Sequence, residues 1–265
     1  MNVRVGAASH VGRVRSANED AYLAAEDLAL VADGMGGHAA GDVASAIAVQ
    51  AFRDLLSEGP LTPAGIQEAL AHANTSILEQ GAADSARAGM GTTVAGVARV
   101  NYAGSPHWLV FNVGDSRIYR LLGESLVQLT VDHSEAAELA STGQISPDEA
   151  RSHPLRHVLT RSLGTDPAPV ADVWVFPQHD TGETFLLCSD GLTDEVSDEL
   201  LRTIMLDARG PRDAASGLIE AALEAGGKDN VTAVVLTAFQ VTSADRSQPS
   251  AATTTVPRPE LESLR

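Results

Sequence analysis

Four short apolar runs in this chain end on, or start from, an aspartate. Leu28-Ala29-Leu30-Val31-Ala32 runs into Asp33-Gly34-Met35-Gly36-Gly37-His38. Val110-Phe111-Asn112-Val113 leads to Gly114-Asp115, and Phe185-Leu186-Leu187-Cys188 leads to Ser189-Asp190-Gly191. Lys228-Asp229-Asn230 stands just before Val231-Thr232-Ala233-Val234-Val235-Leu236. Apolar runs of this length read as buried strands. A strand that stops at Asp-Gly presents a carboxylate at the sheet's edge, and the glycine lets backbone carbonyls approach a ligand closely. Carboxylate and carbonyl oxygens suit a hard divalent cation such as magnesium or manganese. Asp-Gly is also a common turn, so a hairpin corner stands beside the metal reading for any one run. The repetition is what constrains the fold, toward a sheet-rich protein with acids gathered at strand ends.

The pattern between these runs completes an α+β reading. Val3 to His10 is an expected strand. Gly41 to Leu56 is an expected helix, with Val43, Ile47, Ala51, Phe52, Leu55 and Leu56 on one face. Thr62-Pro63 opens a second helix as N-cap and first residue, and Gly81 is expected to end it. Thr92–Val100, Trp108–Val113, Arg117–Leu122 and Ser125–Leu129 follow as strands without intervening helices, which indicates an antiparallel sheet. Residues 132–164 interrupt them with a long polar segment, expected to be mostly helical, in which Ser146-Pro147-Asp148-Glu149 forms a capping box. An insertion of this size is more often functional than filler. Helices at Asp198–Leu206 and Pro211–Leu223, the latter stopped by Gly226-Gly227, precede a last buried strand at Val231–Phe239. After Val241 the composition shifts to Ser, Thr, Pro and Ala, which reads as a disordered tail over 241–265.

Composition excludes several classes. The net charge of −17 argues against nucleic acid, whose phosphates need a basic surface, and against a polybasic membrane contact. No apolar run reaches the roughly 18 residues of a membrane span, and the N-terminus lacks a signal pattern. Cys188 is the only cysteine, which fits a reducing compartment; a cytoplasmic location is expected. Within its apolar strand, Cys188 reads as a small buried filler. Arg15, next to Asn18-Glu19-Asp20, is more than a default surface arginine, because its fork can hold phosphate oxygens bidentately.

Arg15-Ser16-Ala17-Asn18-Glu19-Asp20, Asp33-Gly34-Met35-Gly36-Gly37, Val113-Gly114-Asp115-Ser116-Arg117, Ser189-Asp190-Gly191-Leu192 and Asp229-Asn230-Val231-Thr232 occur in that order. Together they resemble the metal-dependent protein phosphatases of the protein phosphatase 2C (PPM) family, in its bacterial form, from about Val3 to Phe239. The resemblance implies a four-layer α-β-β-α sandwich of two antiparallel sheets flanked by helices, with a phosphatase unit over 1–240. It makes residues 132–164 a flap beside the active site. It implies two catalytic Mn2+ or Mg2+ ions and, as in bacterial members, a third and weaker one. Asp33 would bridge the two ions, the Gly34 carbonyl would bind the second, and Asp190 and Asp229 would hold the first. Asp115 with Asp190 resembles the acidic pair of the third ion. Glu19 and Asp20 match acids that contact the metals directly or through water, and Arg15 matches the arginine that clamps the substrate phosphate. The implied reaction is hydrolysis of phosphoserine and phosphothreonine on proteins by a metal-bridged hydroxide.

Such an enzyme would oppose cytoplasmic Ser/Thr kinases. Its partners would be phosphorylated proteins, among them kinases and their substrates, and a monomer is expected. Two rivals stand beside it. One is a non-catalytic relative that binds phosphoproteins, which usually lacks metal acids that are present here. The other is a partner-switching phosphatase, which generally diverges around Arg15 to Asp20 and carries fused sensor domains. Many eukaryotic members have a histidine where this chain has Met35, so the general acid has no assigned residue. His38 matches a position near the site and serves equally well as a loop fastener. His153 and His157 lie in the flap, where they are open to contact with substrate or the third metal.

Overall fold

The computed structural model describes residues 1–36, 40–179 and 182–240. The expectations for Gly37, His38 and the tail at 241–265 lie outside the described residues. Two antiparallel sheets make the frame. The first runs in the order β1 (Asn2–His10), β11 (Val231–Phe239), β10 (Glu183–Cys188), β7 (Arg117–Leu122), β8 (Ser125–Gln128). The second runs β2 (Asp20–Ala24), β3 (Leu28–Met35), β5 (Val94–Tyr102), β6 (Ser105–Val113), β9 (Asp172–Pro177), with the short β4 (Gly91–Thr92) paired to the end of β3.

Period-two alternation explains the layers. Ala29 and Val31 of β3 join Val97, Trp108, Val110, Phe185, Leu187, Val234 and Leu236 in a core drawn from both sheets. Trp108 packs edge-on against Phe185 at 5.2 Å between ring centres. Its indole N–H donates to Glu183 at 2.6 Å, so a buried polar tip is satisfied. Leu28, Leu30 and Ala32 point the other way, against α1 (Gly41–Glu58) and α2 (Pro63–Ala83). On the opposite side α6 (Asp198–Asp207) and α7 (Pro211–Ala225) cover β10 and β11 through Leu201, Met205, Leu218 and Ala222. Strands with helix on one face and sheet on the other are apolar throughout, which is why the runs read as continuous.

The fold matches the expected sandwich, and three local expectations change. Helix α2 passes through Gly81 and ends at Ala83. One interior glycine costs only about 1 kcal/mol, and a twenty-one-residue helix packed on a sheet absorbs it. The flap is not mostly helical: it holds only α3 (Glu135–Ser141) and α4 (Pro147–Ser152). Gly143 at φ +73° and Pro154 interrupt it where glycine and proline stop helices. A strand not expected from the sequence, β9, pairs with β6 from His107↔Pro177 to Asn112↔Asp172. Its apolar run, Val173-Trp174-Val175-Phe176, fits a strand but is only four residues long, closed by Pro177 and half-buried at a sheet edge. A single turn, α5 (Asp190–Thr193), also starts where β10's run stops. Thr62 caps α2 and Ser146 closes its capping box, as expected. Among the described residues no helix is long and apolar enough to cross a membrane.

Candidate metal centre

Strand register gathers the acids. β1 pairs with β11 down to His10↔Val231, so the segment after β1, carrying Arg15 and Glu19, returns beside Asp229 and Asn230. β10 pairs with β11 up to Cys188↔Ala233, which delivers Asp190 to the same end. In the second sheet Asp20 faces Asp33 across β2 and β3, and Val94 faces Val113, which brings Asp115 over Thr93. Arg15, Glu19, Asp33, Asp115, Asp190 and Asp229 line one cavity of about 740 Å³.

Backbone anchors hold each acid. The Asp33 N–H donates to Thr93 Oγ1 at 3.0 Å, and its carbonyl accepts from the Thr93 N–H at 2.9 Å. Asn230 Nδ2 donates to the carbonyls of Val11 and Ala17, both at 2.9 Å, while its Oδ1 accepts from the Glu19 N–H at 2.8 Å. Gly34 must be glycine for packing: a Cβ there would lie 2.1 Å from the Gly41 carbonyl oxygen and 2.5 Å from that of Glu19. The start of α1 therefore sits directly against the strand that carries Asp33. This close approach, more than ligand access, is what the structure asks of that glycine.

Of the paired acids after Arg15, Glu19 lines the cavity. Asp20 is tucked beside it, with Oδ2 accepting from Ser189 Oγ at 2.8 Å and Oδ1 buried without a hydrogen-bond partner. Arg15 donates to Asp229 Oδ2 at 2.7 Å, so the phosphate-clamp candidate and a ligand candidate are paired. His157 reaches in from the flap, with Nδ1 3.3 Å from Asp190 Oδ2 and Nε2 3.3 Å from Asp194 Oδ2. His153 does not: its Nδ1 accepts from the Leu155 N–H at 3.2 Å, within the flap. Asp194, Arg156 and Thr93 also line the cavity; no sequence signal singled them out. Asp194 follows Asp190 by about one helical turn, Thr93 bonds to Asp33, and Arg156 precedes His157 in the flap, placements that only the folded chain reveals.

The electrostatics are those of crowded acids. Burial, then the charge of Asp20, Asp190 and other acids, pushes Asp33 well above the usual carboxylate range. Burial raises Asp20 to about 7 and Asp115 to about 8, with Asp190 adding to both. Burial pushes Asp190 up as well, but hydrogen bonds from His157 and with Asp33 and the charges of His157 and Arg117 outweigh it, leaving it lowered. His157 is raised, chiefly by its hydrogen bond to Asp190. Cys188 lies buried, its thiol pushed up to about 12 by desolvation, and is inert filler.

Buried like charges this close do not all ionise without countercharge. An orphaned oxygen on Asp20, three carboxyls held toward neutrality, and ligand atoms of Asp115, His157 and Asp190 within 4.8 Å of one another make a donor set that fits divalent cations. The oxygen-rich chemistry favours magnesium or manganese over softer ions.

The family model for protein phosphatase 2C matches residues 8–218. The chain belongs to that family. Among its protein phosphatase 2C relatives, the serine/threonine protein phosphatase PstP of Mycobacterium tuberculosis is 40% identical over 238 residues. That match takes in 88% of this chain and 44% of PstP, so the chain spans less than half of that relative's length. The serine/threonine phosphatase Stp of Listeria monocytogenes is 38% identical over 85% of this chain and 92% of its own length. The catalytic domain of PstP, solved in complex with two manganese ions, superposes with a TM-score of 0.79 at 36% identity, over 90% of this chain and 99% of that domain.

Proposed function

We propose that this protein hydrolyses phosphoserine and phosphothreonine on proteins, using Mn2+ or Mg2+. The observation that carries the reading is the convergence of five candidate acids and Arg15 on one cavity with Asp20 tucked beside it, Asp20, Asp33 and Asp115 being held toward neutrality by burial and then by mutual repulsion. Asp33, the Gly34 carbonyl, Asp190 and Asp229 would hold two ions, and Asp115 with Asp190, a third beside His157. Divalent cations there supply positive charge for a transferring phosphoryl group and lower the pKa of water. Arg15 binds the phosphate: its exposed fork borders the cavity, and its pairing with Asp229 keeps it aimed at the ligand acids. Glu19 and Asp20 support the ion shell from the β2 side.

The flap over residues 132–164 closes the cavity's rim and brings His157 to its wall. Residues 1–240 act as the phosphatase unit, a reading supported by the pairing of β1 with β11 across the whole described length. Phosphorylated proteins acted on by Ser/Thr kinases are the substrates, as the names of the relatives suggest for those proteins. A buried, unpaired thiol and an acidic surface support a cytoplasmic monomer. The presence of Asp33, Asp190 and Asp229 in one cavity disfavours a purely binding relative. The test is turnover of p-nitrophenyl phosphate and a phosphothreonine peptide, with manganese and after confirmed stripping by chelator. Activity in the manganese arm alone is expected; full turnover in the stripped arm overturns the proposal.

A further inference from the structure

His133 is buried, 4% exposed, at the base of the flap, and it does not line the cavity. It makes two hydrogen bonds to one residue. Its backbone N–H donates to the Gly114 carbonyl at 3.0 Å, and the Gly114 N–H donates to its Nδ1 at 3.0 Å. A backbone N–H only donates, so Nδ1 carries no proton and Nε2 does. Nε2–H then donates to Asp172 Oδ2 at 3.2 Å. Arg161 Nη1 also lies 3.2 Å from Nε2, but both are donors in this tautomer; it donates instead to Asp172 Oδ1 at 2.8 Å and to the Val170 carbonyl at 3.2 Å. Asp172 and Arg161 thus fix the tautomer that can accept from Gly114.

Gly114 is the residue before Asp115. It sits at φ +109°, and a Cβ on it would meet Thr93 Cγ2 at 2.5 Å, so no side chain of its own can steady this turn. Beyond its N–H, the main chain at His133 faces the other way. Its carbonyl accepts from the Thr160 N–H at 2.9 Å, the Glu135 N–H donates to Val158 at 2.9 Å, and Ser134 bridges Leu159. Val158 follows His157. The ring of His133 therefore grips the Asp115 turn, while the main chain of residues 133–135 is bonded to the segment that follows His157.

We propose, resting on the reading of Asp115 as a cation ligand, that His133 is a positioning residue that joins the Asp115 turn and the flap base into one unit. Loss of the ring removes the bond from the Gly114 N–H while the main-chain bonds to Gly114 and Thr160 remain, so the Asp115 turn loosens against the flap base, and the Asp115–His157–Asp190 grouping with it. The test compares His133→Asn, whose amide oxygen stands near the place of Nδ1, with His133→Gln, whose amide reaches toward Asp172 instead. Both are polar and no larger than histidine, so neither overpacks the site. Exchange of the Gly114 amide in metal-free protein, followed by NMR, is expected to quicken about tenfold in His133→Gln and to stay near wild type in His133→Asn, the size of one lost hydrogen bond. Manganese calorimetry should show weakened binding for the Gln variant and recovery for the Asn variant. Wild-type exchange at Gly114 in His133→Gln, or equal impairment in both variants, overturns the proposal. Asp115→Asn is the control: an unchanged manganese isotherm there would sink the ligand reading of Asp115, while the Gly114 exchange still decides the tether.

Discussion

At the scale of single residues, the site stores its chemistry as repulsion. Asp115 shows the sign of the effect. Its folded pKa, about 8, lies above its ordinary 3.8. Below pH 4 both folded and unfolded chains hold the proton, and there is no penalty. Between pH 4 and 8 the unfolded chain releases it while the folded chain retains it, so stability falls as pH rises, and the cost is complete above pH 8. In metal-free protein, Asp115→Asn is therefore expected to raise the melting temperature by several degrees at pH 9 and by little at pH 4. A thermal-unfolding series over pH on the stripped variant and parent checks this. Arg15 is expected to behave differently, because the proposed function makes it a phosphate clamp and not a metal ligand. Arg15→Ala should raise KM more than it lowers kcat on p-nitrophenyl phosphate, read from initial rates at saturating manganese. Six acids of the candidate site were legible, Asp33, Asp115, Asp190 and Asp229 at the ends of apolar runs and Glu19 and Asp20 beside Arg15. His157 was visible only as a flap histidine. Its contact with Asp190 spans thirty-three positions and depends on how the flap folds back, which no local spacing encodes.

At the scale of elements, legibility followed burial. β3, β10 and β11 are buried on both faces and announced themselves as apolar runs. β9 is a half-buried edge strand whose apolar run, Val173-Trp174-Val175-Phe176, is shorter and is closed by Pro177. α1 and α2 were readable from their stripes, while the end of α2 was not, because packing outweighed Gly81. The flap's helices are the marginal elements. No residue of α4 is buried, so its stability rests on local terms: the Ser146 side chain accepts from the Glu149 N–H at 3.2 Å, and Glu149 Oε2 accepts from the Ser146 N–H at 2.7 Å. Ser146→Ala should cost about 1 kcal/mol of helix stability and leave the global melting temperature nearly unchanged. Faster exchange of the α4 amides beside unaltered exchange in β11 would bear this out; a large global destabilisation would show that α4 is a core element.

At the scale of the whole molecule, two kinds of negative charge must be told apart. The surface excess behind the net charge of −17 is diffuse, and salt screens it over a Debye length of about 8 Å at physiological ionic strength. The acids at the end of the sandwich are crowded and partly buried around one cavity, where screening by the salt outside is weaker. A cation that lowers their mutual repulsion has to enter the cavity and be coordinated. Binding to the folded chain alone adds stability as RT ln(1 + [L]/Kd), about 2.7 kcal/mol for one site at a hundredfold excess over Kd. The metal-free protein is therefore expected to gain several degrees in melting temperature from manganese, and to gain much less from sodium chloride at matched ionic strength. Asp33→Asn should abolish most of the manganese gain and none of the sodium gain, because it removes a ligand without changing the surface. The measurement is a melting series in the two salts for parent and variant. Equal gains from both salts in the parent would mean that the ions act only on the diffuse surface charge, and the clustered acids would then be an electrostatic burden with no cation site to relieve it.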